Sequence, residues 1–366
     1  MSKSIYVIYG KNIKKMAHNL LENIKLSNYI DKNMTIGLKP NLVISQPAST
    51  GATTHPEIVE AIIEYLMDNG LKKILIMESS WAGGNTLNAY KICGYQDIAK
   101  KYNIPLLDLK KDKIKTHKIN DMSLDVCLTP INTDFIINLP VLKGHSQTNM
   151  TCALKNLKGC IPDNEKRKYH SIGLHKPIAY LNKIIKQDFI LADAINGDIN
   201  SELGGNPSNM GILFAGFDPV LIDTYAMKLL NLNFNDVKYI KIAESLGIGT
   251  TDLNSANIIK LNKDDNKKEE SLNKIKKDTD LNKYIIKNNP CSSCYGNLLN
   301  AFIWLKKNNY FFNFDKMIYI GQGFKNKNIN GIGIGDCTNG CTKYIKGCPP
   351  VEKSIINFLI SIINNN

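Results

Sequence analysis

Short apolar runs that end in polar residues, each followed by a stretch with helical periodicity, recur between Ile5 and Leu230 and leave this chain few folds to adopt. Ile5 to Tyr9 predicts a strand, and Met16, Leu20, Leu21 and Ile24 share one face of a helix over 13–24. Met34 to Leu38 predicts a second strand, ending at Lys39-Pro40-Asn41. Thr54-His55-Pro56-Glu57 reads as a capping box opening a helix to Met67, with Gly70 as its stop. A third strand, Lys73 to Met77, runs into Glu78-Ser79-Ser80. Phe135 to Leu139, halted by Pro140, reads as a buried strand, followed by a helix near 178–185 and the strand Phe189 to Ala192 that ends in Asp193. GILFAGF at 211–217 then leads through Asp218-Pro219 into a helix from Val220 to Leu230. Strands alternating with helices imply parallel pairing through right-handed crossovers, hence an α/β fold with a mainly parallel sheet flanked by helices.

Open parallel sheets bind ligands beyond the carboxyl ends of their strands. Lys39, Asn41, Glu78, Ser79, Lys143, His145, Asp193 and Asp218 all follow predicted strands and are expected around one crevice, although each alone also suits a plain cap. The segment after Pro140 is longer than ordinary connections and holds Lys143, His145, Asn149, Lys155, Asn156, Arg167 and His170. Its Met150, Ala153, Leu154 and Leu157 point to an ordered helical turn inside a functional loop. Arg167 is the only arginine beside forty-five lysines. A planar bidentate guanidinium kept in such a chain is expected opposite a carboxylate or phosphate, sharing that anion with Lys155, His145 and His170.

A chain of 366 residues, 43% of them apolar, is long for one core and comfortable for two domains. Residues 1–260 are expected to form the α/β domain, 261–285 a charged linker or insertion, and 286–366 a smaller C-terminal cysteine-rich α/β unit. No window holds about eighteen uninterrupted apolar residues, and the start lacks a signal-like apolar region, so the expectation is a cytoplasmic protein without a membrane span. The net charge of +13 comes from scattered lysines instead of one basic stripe with interleaved aromatics, which argues against a nucleic-acid partner.

Nine cysteines are unevenly spread. Cys93, Cys127, Cys152 and Cys160 are dispersed and read as small apolar fillers, whereas Cys291, Cys294, Cys337, Cys341 and Cys348 crowd the last quarter. Clustering without an export signal points to metal ligation instead of disulfides. A Cys-x2-Cys pair lets two thiolates converge, the glycines near 331–335 let backbone approach, and the proline after Cys348 resembles iron–sulfur ligand runs. The expected ligands of a [4Fe–4S] cluster are Cys291, Cys294, Cys337 and Cys348, with Cys341 as spare or substitute. Structural zinc is the competitor, since zinc also takes Cys-x2-Cys. There is no P-loop, no GxGxxG after a strand, no HExxH and no GxSxG.

KPNLV at 39–43, Thr54-His55-Pro56, Lys143-Gly-His145, Lys155-Asn156-Leu-Lys-Gly159, His170, Asp193, Gly204-Gly205, Asp218-Pro219 and Asp223, in that order, resemble the family catalogued as domain of unknown function 362. The resemblance spans about Ile36 to Gly249 and implies an α/β fold with redox association. Many relatives carry a ferredoxin-type CxxCxxCxxxCP run, which this chain replaces with the looser set from Cys291 to Cys348. The resulting expectation is an iron–sulfur redox enzyme. Lys39, Asn41, Lys143, Lys155, Asn156, Arg167 and Asp193 would hold a small anionic substrate, and His145 or His170, with Lys143, would move protons. A non-catalytic electron carrier or assembly factor docking a redox partner protein is the alternative, and a metal Lewis-acid lyase or isomerase is another.

Overall fold

The computed structural model describes residues 3–262, 283–310 and 317–364; most of the expected linker, 263–282, lies outside the described residues. The first unit is built on β1 (Ser4–Tyr9), β2 (Ile36–Pro40), β3 (Ile74–Glu78), β4 (Leu106–Asp108), a β5 (Ile114–Ile119) and β6 (Met122–Cys127) hairpin, β7 (Phe135–Leu139), a small β8 (Lys143–His145) and β9 (Asn149–Thr151) hairpin, β10 (Phe189–Ala194), β11 (Ile212–Gly216) and β12 (Asn257–Lys260). Eight of these form one sheet in the order β12, β1, β11, β10, β7, β2, β3, β4. Pairing is parallel except where β11 runs antiparallel to both β1 and β10.

Strand side chains alternate between two buried layers, as period-two geometry demands. Ile212 and Phe214 of β11 join a core with Leu154, Ile178 and Val220, while Leu213 and Ala215 face the opposite core with Leu20, Ile58 and Ile62. Each large side chain so buried stabilises the fold by about 1.5–3 kcal/mol. The first core is covered by α6 (Ala153–Asn156), α8 (His175–Ile184), α9 (Pro219–Leu229) and α10 (Lys238–Ser245), and the second by α1 (Ile13–Ile24), α2 (Pro56–Asp68), α3 (Thr86–Ile92) and α4 (Tyr95–Tyr102). Short α5 (Leu128–Asn132) leads into β7, and α7 (Asp163–Ile172) lies between α6 and α8.

Two local expectations are corrected. Thr54 is not the cap of α2: His55 holds that position and makes no side-chain capping bond, while Thr54 Oγ1 donates to Leu139 O at 2.7 Å and accepts from Asn41 N at 2.8 Å. The hydroxyl is spent tying β2 to β7, so no capping box forms. The segment after Pro140 is also no loop, but a hairpin, a short helix, a 3-10 turn at Leu157–Cys160 and α7. Most of its polar groups find partners, which lets a polar sequence be buried, while Gln147 Oε1, Thr151 Oγ1, Glu165 Oε2, the Tyr169 hydroxyl and His170 Nδ1 are buried without one among the described residues.

The second unit is a parallel four-stranded sheet of β13 (Ile285–Lys287), β14 (Ile318–Ile320), β15 (Ile329–Ile334) and β16 (Cys341–Ile345). It packs with α11 (Ser292–Lys307) and α12 (Glu352–Ile363) around its own core, which includes Leu298, Phe302, Ile318, Ile332, Ile355 and Leu359. Among the described residues no helix is long and apolar enough to cross a membrane.

Candidate functional site

β2 and β7 are neighbours, yet the chain leaves β2 toward β3 and leaves β7 toward β10, in opposite directions along the sheet. A crevice opens at such a switch point. At its base Lys39, one residue before the end of β2, forms a buried ion pair with Glu78 at the end of β3 and donates to Pro40 O at 2.8 Å. Burial raises the Glu78 carboxyl, with Lys39 opposing. Beside them Asn156 Nδ2 donates to Asn138 Oδ1 at 2.7 Å, Asn41 Nδ2 donates to Asn156 Oδ1 at 2.9 Å, and Lys143 Nζ donates to Asn41 Oδ1 at 3.1 Å. This amide relay fixes β2, β7 and α6 to one another. Gly144 is required by close approach: a Cβ there would stand 2.0 Å from Ile199 O.

Lys143 also donates to Ala52 O and, at 2.9 Å, to Glu202 O. Burial pushes its amine down to about 7. The Glu202 carboxylate is the hub of the basic wall, accepting from Lys155 Nζ at 2.8 Å and from His145 Nε2 at 3.0 Å. Burial alone would raise this carboxyl, but His145 and Lys155 outweigh it and hold it well below the usual carboxylate range. His145 Nδ1 accepts the Gln147 and Thr148 N–H groups, both at 3.1 Å, so the ring carries its proton on Nε2. Burial pushes His145 down to about 4, and it is neutral near neutral pH.

Helix α7 supplies Lys166, Arg167 and His170. Lys166 Nζ donates to Ser79 Oγ at 2.5 Å and to Ser80 O at 2.6 Å. Arg167 is exposed and makes no ion pair among the described residues. His170 Nε2 lies 3.3 Å from Lys158 Nζ, and its Nδ1 is buried without a partner among the described residues.

Across the crevice stands the cysteine-rich unit. Cys291 is the N-cap of α11 and Cys294 lies in its first turn. The Cys294 thiol and backbone N–H hold the Cys291 thiol down, to about 6. Gly335, with φ +87°, passes where a Cβ would sit 3.3 Å from Cys294 Sγ and 3.2 Å from Gly347 O. A cavity of about 570 Å³ separates the two walls. Lys143, Lys155, Lys158, Lys166, Arg167 and His170 face it from one side, and Cys291, Cys294, Cys337 and Cys348 from the other. Lys325 adds a cation, and Glu78, Glu202 and Asp336 are the carboxylates, so positive groups outnumber negative ones. Trp81, 40% exposed, also lines the cavity.

Of the expected anion and proton groups, Asn41, Lys143, Lys155, Asn156, Arg167 and His170 meet there. Lys39, His145 and Asp193 do not line the cavity; Lys39 stands behind Glu78 and His145 behind Glu202. Asp193 is paired with His55, Oδ2 accepting from Nδ1 at 2.8 Å and from the His55 N–H at 2.9 Å. Asp218 caps α9, accepting from Val220 N and Leu221 N. Because β11 is antiparallel to β10, the residues that follow it fall on the far edge of the sheet. Cys341 begins β16 and does not line the cavity. Sequence reasoning passed over Lys158, Lys166 and Glu202. Lys158 lies inside the KNLKG run and was visible there, whereas nothing local marks Glu202, whose role depends on Lys155 and His145 reaching it from elsewhere in the chain.

A thylakoid-associated protein of Synechocystis sp. is 26% identical to this chain over 233 residues, which cover 62% of this chain and 72% of that protein. The structure of the lactate racemase apoprotein from Thermoanaerobacterium thermosaccharolyticum superposes with a TM-score of 0.41 at 13% identity, covering 62% of this chain and 57%, less than two thirds, of that one. Residues 36–228, more than half of the chain and the part that builds the basic wall, match the family described as Domain of unknown function (DUF362), and the protein belongs to that family.

Proposed function

We propose that this protein holds an iron–sulfur cluster on Cys291, Cys294, Cys337 and Cys348 beside a bound small anion, and acts as a redox enzyme. The observation that carries this reading is the shared cavity, with thiols on one wall and a surplus of cations on the other. The donors suit the group. Thiolate is the ligating form and Cys291 already favours it, the first turn of α11 offers free N–H groups, and Gly335 clears space against Cys294 Sγ. Among the described residues no three His, Cys, Asp or Glu side chains are arranged to hold a metal ion, so metal and sulfide content decides between a cluster and one tetrahedral zinc. When bound, a [4Fe–4S] group supplies one-electron exchange at a potential set by its surroundings.

The chain's own residues do the rest. Arg167, exposed at the cavity and without a carboxylate partner among the described residues, is placed to meet the incoming anion. Lys155 draws the anion inward while Glu202 limits the repulsion among the lysines. His170 is the proton carrier by position, since it lines the cavity and His145 does not. His145 is a positioning residue that fixes the Glu202 carboxylate through Nε2.

Anaerobic purification should yield iron and acid-labile sulfide in equal amounts with a visible band that bleaches reversibly under dithionite. Cys294→Ser should lose that band. Zinc as the sole metal would overturn the reading. Small carboxylates should raise the melting temperature, and Arg167→Ala should reduce the rise.

A further inference from the structure

We propose that Lys158 is a nucleophile that condenses with the carbonyl of a small 2-oxo acid, holding the substrate in the cavity as an imine. This rests on the anion site proposed above and narrows it to one substrate class. Four lysines reach the cavity from the large-sheet side, and their surroundings differ in kind. Lys143 donates to three oxygens, Lys155 is paired with Glu202, and Lys166 donates to Ser79 and Ser80 oxygens. Lys143 shares the low proton affinity of a buried amine, but its N–H groups are spent on three protein oxygens, and Lys155 and Lys166 are likewise engaged. Among the described residues Lys158 Nζ has no oxygen acceptor, and its polar neighbour is His170 Nε2 at 3.3 Å.

Charge agrees with the geometry. The groups acting on Lys158 are Lys155 and Lys166, which disfavour a second ammonium, and Glu202, which Lys155 and His145 already engage. Removal from water and the Lys155 charge bring the amine down to about 7. At neutral pH its free-base fraction is then roughly a thousand-fold that of an ordinary lysine, whose pKa is about 10.4. Burial and Lys158 both lower His170, so its ring is neutral and Nε2 accepts a Lys158 N–H, leaving the amine lone pair free to face the cavity.

The step balances without an oxidant or reductant. The amine lone pair forms the C–N bond as the carbonyl π pair moves to oxygen, and His170 Nε2 takes one amine proton. That proton passes to the alkoxide to give the carbinolamine, and the second amine proton follows by the same route to the hydroxyl, which leaves as water as the nitrogen lone pair closes the C=N bond. Arg167 and Lys155, which both line the cavity, would hold the carboxylate meanwhile.

The test uses full-length protein with pyruvate and sodium cyanoborohydride, followed by peptide mapping by mass spectrometry. The expected result is one reduced pyruvate adduct, on Lys158, in large excess over any other lysine and absent with propionate. Lys158→Arg keeps a long basic side chain without a nucleophilic amine and should abolish the adduct; should that variant fail to fold, the map of the unaltered protein still decides. No adduct, or adducts spread over surface lysines, overturns the proposal. If pyruvate and propionate both raise the melting temperature but pyruvate is not trapped, the imine fails and the anion site stands. If neither shifts melting nor traps, both fail.

Discussion

Asp193→Asn removes a charge from a place that water barely reaches, with Asp193 1% and His55 7% exposed. Asp193 Oδ2 accepts both the ring and the backbone N–H of His55, and Oδ1 accepts Ile195 N at 3.1 Å. An asparagine can keep one oxygen toward one side only and must turn an NH₂ toward donors on the other. Breaking a buried pair by removing one partner costs about 3–5 kcal/mol, and the retained amide oxygen places the expected loss near 3 kcal/mol. Burial would raise Asp193, but His55 lowers it further, so its contribution is full above the unfolded value of about 3.9 and is lost as pH falls through the folded one. Burial would lower His55, but Asp193 raises it, so that contribution is full below about 6.5 and is lost as pH rises through the folded value. Urea unfolding of both proteins across pH should therefore show the largest gap between about pH 4 and 6.5. Carbon-detected NMR should show His55 titrating lower in the variant. A gap below about 1 kcal/mol, or one flat with pH, refutes the reasoning. Carboxylate binding lost while stability is kept would return Asp193 to the substrate site.

Glu202→Gln should lower stability by about 3 kcal/mol in urea melts, because Lys155 is left buried without its counter-charge. The same variant should bind small carboxylates several-fold more tightly by calorimetry at low salt, the wall having lost one negative charge. Gly159→Ala would bring a Cβ to 2.3 Å from Glu78 Oε1, so about 1–3 kcal/mol should be lost and the Lys39 ion pair displaced, visible in urea melts. Cys341→Ser should leave the iron and sulfide content per chain intact, whereas Cys337→Ser should reduce it, since Cys337 lines the cavity and Cys341 does not.

Much of the site was readable before folding was considered, and the exceptions share a cause. Lys143, Lys155, Asn156 and His170 stand in one continuous stretch whose polarity has no local structural use, and the four cysteines carry ligand spacing. Asp193 and Asp218 look alike in sequence, each closing an apolar run. One is claimed by His55 from the start of α2, and the other lies on the wrong edge because β11 reverses direction. Arg167 stood out by composition and does line the cavity, without a protein carboxylate to answer it among the described residues.

The sequence by itself determined the elements and the chemical inventory. Apolar periodicity sets strand and helix over a few neighbouring residues, and thiol or amine chemistry belongs to the side chain wherever it goes. Only the tertiary structure decided which groups share a cavity, which lysines keep their protons and which histidine stands behind a carboxylate. Those depend on strand order and on contacts such as Lys155 with Glu202 and Lys158 with His170, and the removal of water that shifts their proton affinities exists only once both units are folded around the same space.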